Sequence, residues 1–411
     1  SSAASDVYKR QQYNNTVNKR RLMLGAIFLM VTSAVGPAFL TQTAVFTEQF
    51  AASFAFAIIL SVIIDIGAQL NIWRVLTVAN KRGQDVGNMV LPGLGSLIAI
   101  LIVIGGLAFN IGNIAGAGMG FNALLGLDTR IGAIIAGVLA IIIFSSKNGT
   151  KVMDVVTQLL GITLLVIIGI VMIKVQPPYQ EAATKMIIPD DPMSLVMPII
   201  TIVGGSVGGY ITFAGAHRLI EAGVTGEENL DFVSKSANIG IITAGIMRFL
   251  LFLAALGVIT AGVTLSKDNP PATIFEYALG DVGLRIFGLV LLIAAITSVI
   301  GAAYTSASFL RSFHPIFDRY NNIVIIGFII FSTMVFAFIG KPVVLLIVAG
   351  AFNGMIIPII LTAILIGSRK KSIVGDYHHP TWMIVFGYVA VIITLLASFI
   401  SIREVISMLF G

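Results

Sequence analysis

Residues 197–219 read MPIITIVGGSVGGYITFAGAHRL. The stretch is long and apolar enough to cross a bilayer as a helix, which takes about 20 such residues. Yet Gly204-Gly205 and Gly208-Gly209 fall at mid-depth, and each glycine weakens a helix by roughly 1 kcal/mol relative to Ala. Backbone that leaves the helix at membrane depth persists only where it faces a cavity or buried protein. The stretch therefore predicts an interrupted span. A second one is residues 22–50, LMLGAIFLMVTSAVGPAFLTQTAVFTEQF, with Gly36-Pro37 in its middle. Proline removes a backbone donor and clashes with the preceding turn.

Working outward from these two, eleven spans are expected: roughly 22–52 (interrupted), 53–78, 94–126, 130–146, 151–174, 194–220 (interrupted), 236–264, 282–310, 321–340, 342–367 and 381–402. The first and second abut almost without a loop. The interrupted spans lie five helices apart, so they hold matching positions in two five-helix halves, 22–174 and 194–367. Matched interruptions of this kind point to the central site of a transporter. The competing reading of the glycines is close helix packing in small-xxx-small contacts. Residues 175–193 then form a short external loop, and 368–411 a cytoplasmic loop with the eleventh helix. Residues 1–21 have no apolar core and read as a disordered cytoplasmic N-terminus, which enters the argument only as a basic flank.

Composition agrees with an all-α polytopic membrane protein. The 411 residues are 57% hydrophobic and 11% charged, against roughly 25% charged in a soluble domain. With no cysteine in the chain, disulfides and thiolate chemistry are excluded. The net charge of +6 sits in short loops rather than on a face suited to nucleic acid. With the N-terminus cytoplasmic, 17 Lys and Arg flank the inner ends of the spans and 7 the outer ends. That asymmetry predicts an inner N-terminus and an outer C-terminus in a bacterial plasma membrane. No Ser/His/Asp constellation or phosphate loop argues for an enzyme, and no cofactor is expected. The expected partners are lipid and a small cation or solute; oligomeric state is not legible.

The order of several motifs resembles the NRAMP family of divalent-metal transporters. NIAGAGMGFNALLGL (113–127) is similar to the family's third span. SSKNGTKVMDVVTQLLG (145–161) resembles its fourth-to-fifth connection, MIIPDDP (186–192) its approach to the sixth span, and IFGLVLLIAAITSVIGAAYTSASFL (286–310) its eighth. The resemblance implies a LeuT-like 5+5 inverted repeat and alternating access. It does not bring the family's ligands with it. Where the family has Asp-Pro-Gly-Asn, this chain has Gly36-Pro37-Ala38-Phe39, and where it has Met-Pro-His, this chain has Gly208-Gly209-Tyr210. The third-span acids associated with proton movement correspond to Asn110 and Asn113.

Loss of the soft thioether weakens selection for manganese or iron over Mg²⁺ or Ca²⁺, and it puts Mg²⁺ or Mn²⁺ ahead of iron as the expected substrate. Mg²⁺ gives up water reluctantly, so a wide, glycine-lined site suits a hydrated ion. The expected substrate contacts are backbone carbonyls of the two breaks, with Gly36, Pro37, Ala38, Phe39, Gln42, Gly205, Ser206, Gly208, Gly209 and Tyr210 lining the pathway. No side chain stands out as a metal ligand. Asp65, in SVIIDIGAQ, is a candidate charge partner or coupling group, because a carboxylate in the membrane is costly; otherwise it pairs with Arg248. Asn110 and Asn113 cannot titrate, which predicts no proton coupling by the family route. His378 and His379 are expected at the surface. Two rivals remain: a carrier of an amino acid or other small organic solute on the same fold, and a non-transporting membrane sensor.

Overall fold

The computed structural model describes residues 31, 34–146 and 149–410; the expected N-terminal flank 1–21 and most of the first half of span one lie outside these. The α-helices among the described residues are α1 (Pro37–Phe50), α2 (Phe54–Ala79), α3 (Gly83–Val90), α4 (Leu94–Leu125), α5 (Thr129–Ser145), α6 (Gly149–Val175), α7 (Tyr179–Lys185), α8 (Val196–Val207), α9 (Tyr210–Glu221), α10 (Leu230–Thr260), α11 (Pro270–Leu310), α12 (Pro315–Arg319), α13 (Asn321–Ile339), α14 (Pro342–Gly367), α15 (Lys371–Val374) and α16 (Thr381–Phe410). Among the described residues, eight segments are long and apolar enough to cross a membrane. The first of these, Pro37–Ala79, holds 43 residues, about 65 Å if straight and twice the hydrocarbon thickness. Ala51, at φ 45° and ψ −133°, leaves the helical path there and separates α1 from α2. Gly280 (φ 66°, ψ −157°) likewise divides α11, so its apolar part starts where the sequence predicts a span.

The helices are held by contact between small residues, since lipid offers no hydrophobic drive for apolar faces to associate. Long helices α4 and α11 pack along one another. A side chain at Gly120 would strike the backbone of Leu292, and one at Gly288 would strike the backbone of Ala123 and Leu124. A Cβ at Gly204 in α8 would overlap the Gly350 carbonyl and the Gly354 backbone of α14. Large apolar side chains such as Phe338, Phe399 and Ile173 are exposed on the outside, as a lipid-facing surface requires.

At one end of the bundle lies a polar knot that the sequence does not announce. Arg74 donates to the Tyr377 hydroxyl at 3.1 Å and to Ser234 Oγ at 2.6 Å. His379 contacts that hydroxyl at 3.0 Å through Nδ1 and the Asn71 side-chain oxygen at 2.7 Å through Nε2. His378 is exposed, as expected, but His379 is buried. Its polar partners on α2 hold the loop before α16 against the bundle.

Two outcomes test this packing. Gly204→Val places a branched side chain against main chain that cannot yield. It should lower the thermal unfolding midpoint of the purified protein clearly, at a cost of about 1–3 kcal/mol. Burial, with Arg74 nearby, pushes the His379 imidazole down to about 4, whereas it titrates near ~6.5 in an unfolded chain. The neutral ring therefore contributes stability in full above ~6.5, and that contribution is lost as pH falls from there through about 4. His379→Gln should flatten the rise of the melting midpoint with pH across that window.

Candidate functional site

Both expected interruptions are present. Gly36 is extended (φ −117°, ψ −166°), and Pro37 opens α1 as its first residue, the position where a missing N–H costs nothing. Upstream, Val35 N–H donates to the Val31 carbonyl at 2.7 Å. In the sixth span α8 ends at Gly208 (φ −72°, ψ 155°), and Gly209 takes φ 53° and ψ −125° before α9 begins. Such a positive φ suits glycine.

The breaks are shorter than the sequence suggests. Ala38 and Phe39 already lie in α1, and Gly205 and Ser206 remain within α8. The expectation that main chain is unwound through Gly36–Phe39 and Gly205–Gly209 is thus narrowed to Gly36 and to Gly208-Gly209. The contact of Gly204 with α14 keeps α8 wound almost to its end, and Gly208 N–H still donates to the Gly204 carbonyl at 3.1 Å.

The side chains around the breaks come from five spans. Gln42, one helical turn beyond Phe39, donates through Nε2 to the Leu346 carbonyl at 2.9 Å. Its Oε1 lies against Gly205 and has no partner among the described residues. Asn353 of α14 sits on the second break: its Nδ2 donates to the carbonyls of Gly105 and Ala349 at 3.0 and 2.8 Å. Its Oδ1 faces Gly209, unpartnered. Asn110 donates to Ser332 Oγ at 3.1 Å and also keeps a bare carbonyl oxygen. In all three the amide donor is pinned and the acceptor is free. Asn113 faces the Tyr210 hydroxyl and lies beside Gly36, as does Ser298 Oγ. Tyr210 is further fixed edge-on to Phe109, ring centroids 5.8 Å apart.

All of these residues are buried, and Gln42, Asn110 and Asn353 fully so. Among the described residues no three His, Cys, Asp or Glu side chains come together as metal ligands, so any ion here meets neutral oxygens. Asn353 and Ser298 are absent from the sequence-based set. The signal for Asn353 was a single amide in an otherwise apolar run, AGAFNGMIIP, which in a membrane helix demands a partner.

Asp65 does not reach the breaks directly. It lines a small cavity of about 10 Å³ with Ser61, Ser206 and Arg248, room for about one water. His217 lies between the rings of Phe213 and Phe309, with Nε2 unpartnered.

Residues 27–404 match the family described as natural resistance-associated macrophage protein-like. The chain is 49% identical over 387 residues to the uncharacterized membrane protein YcsG of Bacillus subtilis, covering 93% of this chain and 95% of that one. It is also 49% identical over 396 residues to an uncharacterized membrane protein of Haemophilus influenzae, covering 96% and 99%. Among solved structures it is similar to the Eremococcus coleocola manganese transporter, with a TM-score of 0.75, 17% identity and coverage of 95% and 87%. It is also similar to MhsT in complex with L-phenylalanine, with a TM-score of 0.64, 15% identity and coverage of 93% and 98%. The fold is that of the NRAMP and LeuT-like transporters, and the chain is an integral membrane protein of the Nramp family.

Proposed function

We propose that the protein is an alternating-access carrier of a hard divalent cation, Mg²⁺ or Mn²⁺ ahead of iron. The observation that carries this reading is the surplus of bare acceptors at the breaks. Among the described residues, Gln42 Oε1, Asn353 Oδ1 and Ser298 Oγ are buried beside the breaks without a donor, against one bare donor there, Asn113 Nδ2, and such groups are costly unless something pairs with them. A hydrated cation supplies donors on every side, through waters polarised by the metal, and neutral oxygens suit a hard ion. Membership of a family of divalent-metal transporters and likeness of fold to a manganese transporter support the same cargo. No thioether lies at the second break, where Gly208-Gly209-Tyr210 stand, which removes the group that would favour iron. The pathway residues are Gly36, Pro37, Gln42, Gly208, Gly209 and Tyr210, with Asn353 and Ser298 added; Asn110 and Asn113, being amides, carry no proton. The cytoplasmic placement of the N-terminus rests on the asymmetry of Lys and Arg in the flanks.

A second reading is favoured by one specific feature. Arg248 lies near both breaks, where a guanidinium pairs well with a carboxylate, as in an amino acid or other organic acid. Melting curves of the purified protein with Mg²⁺, Mn²⁺ and Ca²⁺ against a panel of amino acids separate the two. Metals alone should stabilise it.

In proteoliposomes the wild-type protein should move Mg²⁺ or Mn²⁺ without a matching proton flux. No flux of Mg²⁺, Mn²⁺ or Ca²⁺ from a preparation that moves another solute would end the cation reading. Asn353→Ala and Gln42→Ala should each lower the flux roughly tenfold or more, while Asn353→Gln retains part of it.

A further inference from the structure

Arg248, in α10, is fully enclosed within the membrane span. Its guanidinium carbon sits 4.1 Å from the centre of the Phe39 ring, a cation–π contact with α1. Its Nη1 donates to Thr43 Oγ1 and its Nη2 to Ser206 Oγ, both at 3.4 Å. It forms no ion pair with a carboxylate among the described residues. The carboxylate that shares its cavity is Asp65, whose Oδ1 has no partner.

The oxygens around this guanidinium are arranged in one sense. Thr43 commits its hydroxyl proton to the Phe39 carbonyl at 2.7 Å, Ser206 to that of Ile202 at 2.9 Å, and Ser61 to that of Ile58 at 2.8 Å. Thr43 and Ser206 thus present lone pairs to the guanidinium, while Ser61 and Ser206 line the cavity that Arg248 and Asp65 share, with Ser206 also within hydrogen-bond reach of the Asp65 carboxylate. Three acceptor hydroxyls and one carboxylate, drawn from α1, α2 and α8, are the donor set of a monovalent metal cation. Thr43 and Ser206 belong to the two interrupted spans, so an ion there would tie both breaks together.

We infer that the Arg248 guanidinium is a tethered cation occupying a Na⁺-type site made by Thr43, Ser61, Asp65 and Ser206, so that transport needs no monovalent coupling ion. The arginine supplies permanently the charge that a coupling ion would otherwise bring and take away. Neutralising it should uncover the site. The inference rests on the carrier reading but not on the identity of the cargo, and a failure to move Mg²⁺ or Mn²⁺ would leave its test intact.

The test is thermal unfolding of the full-length protein in detergent, with Na⁺ titrated against choline at constant ionic strength. The wild-type midpoint should not respond. Arg248→Ala should melt lower, because Asp65 loses its counter-charge, and Na⁺ should restore it by a saturable rise of a few degrees. Adding Asp65→Asn to that variant should abolish the response, and Arg248→Lys should stay unresponsive. Arg248→Gln keeps the side-chain stem and serves if the alanine variant does not fold; it should show the same rescue by Na⁺. A saturable Na⁺ response in the wild type, or none in a folded Arg248→Ala or Arg248→Gln protein, overturns the inference.

Discussion

Hydrocarbon supplies no hydrogen bonds, so every main-chain polar group at bilayer depth must find a partner inside the protein. Most of this chain meets that constraint by remaining helical. At Gly36 and at Gly208-Gly209 it does not, and the surrounding structure is organised around the exceptions. Pro37 brings no N–H to satisfy, and Gly36 still accepts from Leu40 N–H at 3.3 Å. Past the second break, Ile211 N–H returns to the Gly208 carbonyl at 3.2 Å. Two of the side chains that close on the breaks, Gln42 and Asn353, are amides anchored to the carbonyls of other helices. Their own oxygens are left facing inward.

The ionisable groups follow a different logic. Around the breaks carboxamides stand where charge would be costly to maintain, and the two enclosed ionisable groups, Asp65 and Arg248, share one small cavity. Keeping them near each other limits the penalty of removing each from water.

Much of the fold was legible because its signals are local. Gly36-Pro37 and the paired glycines of 204–209 mark interruptions through backbone chemistry that depends on no distant residue. Apolar runs of bilayer length mark the spans for the same reason. The extent of the breaks was less legible: Gly205 and Ser206 stay helical because α14 presses on Gly204, a contact between residues far apart in sequence. The polar surroundings were harder still. Gln42 was visible as the one amide beside the first break, but its partner, Leu346, is 304 positions away. Asn353 and Ser298 carry no motif, and only the three-dimensional path of α14 and α11 brings them to the glycines. His379 was read as a surface residue from its basic, proline-containing loop, and is buried because Tyr377 and Asn71 offer it partners.

The close approach at Gly204 has a mechanical consequence. With no side chain between them, α8 and α14 interlock main chain to main chain, and neither can slide or roll without the other. Any rocking motion must treat the pair as one rigid lever and concentrate its bending where the lever ends, at Gly208-Gly209. Asn353 rides on that lever and touches the hinge, so a change in hinge angle would swing its free oxygen relative to α9.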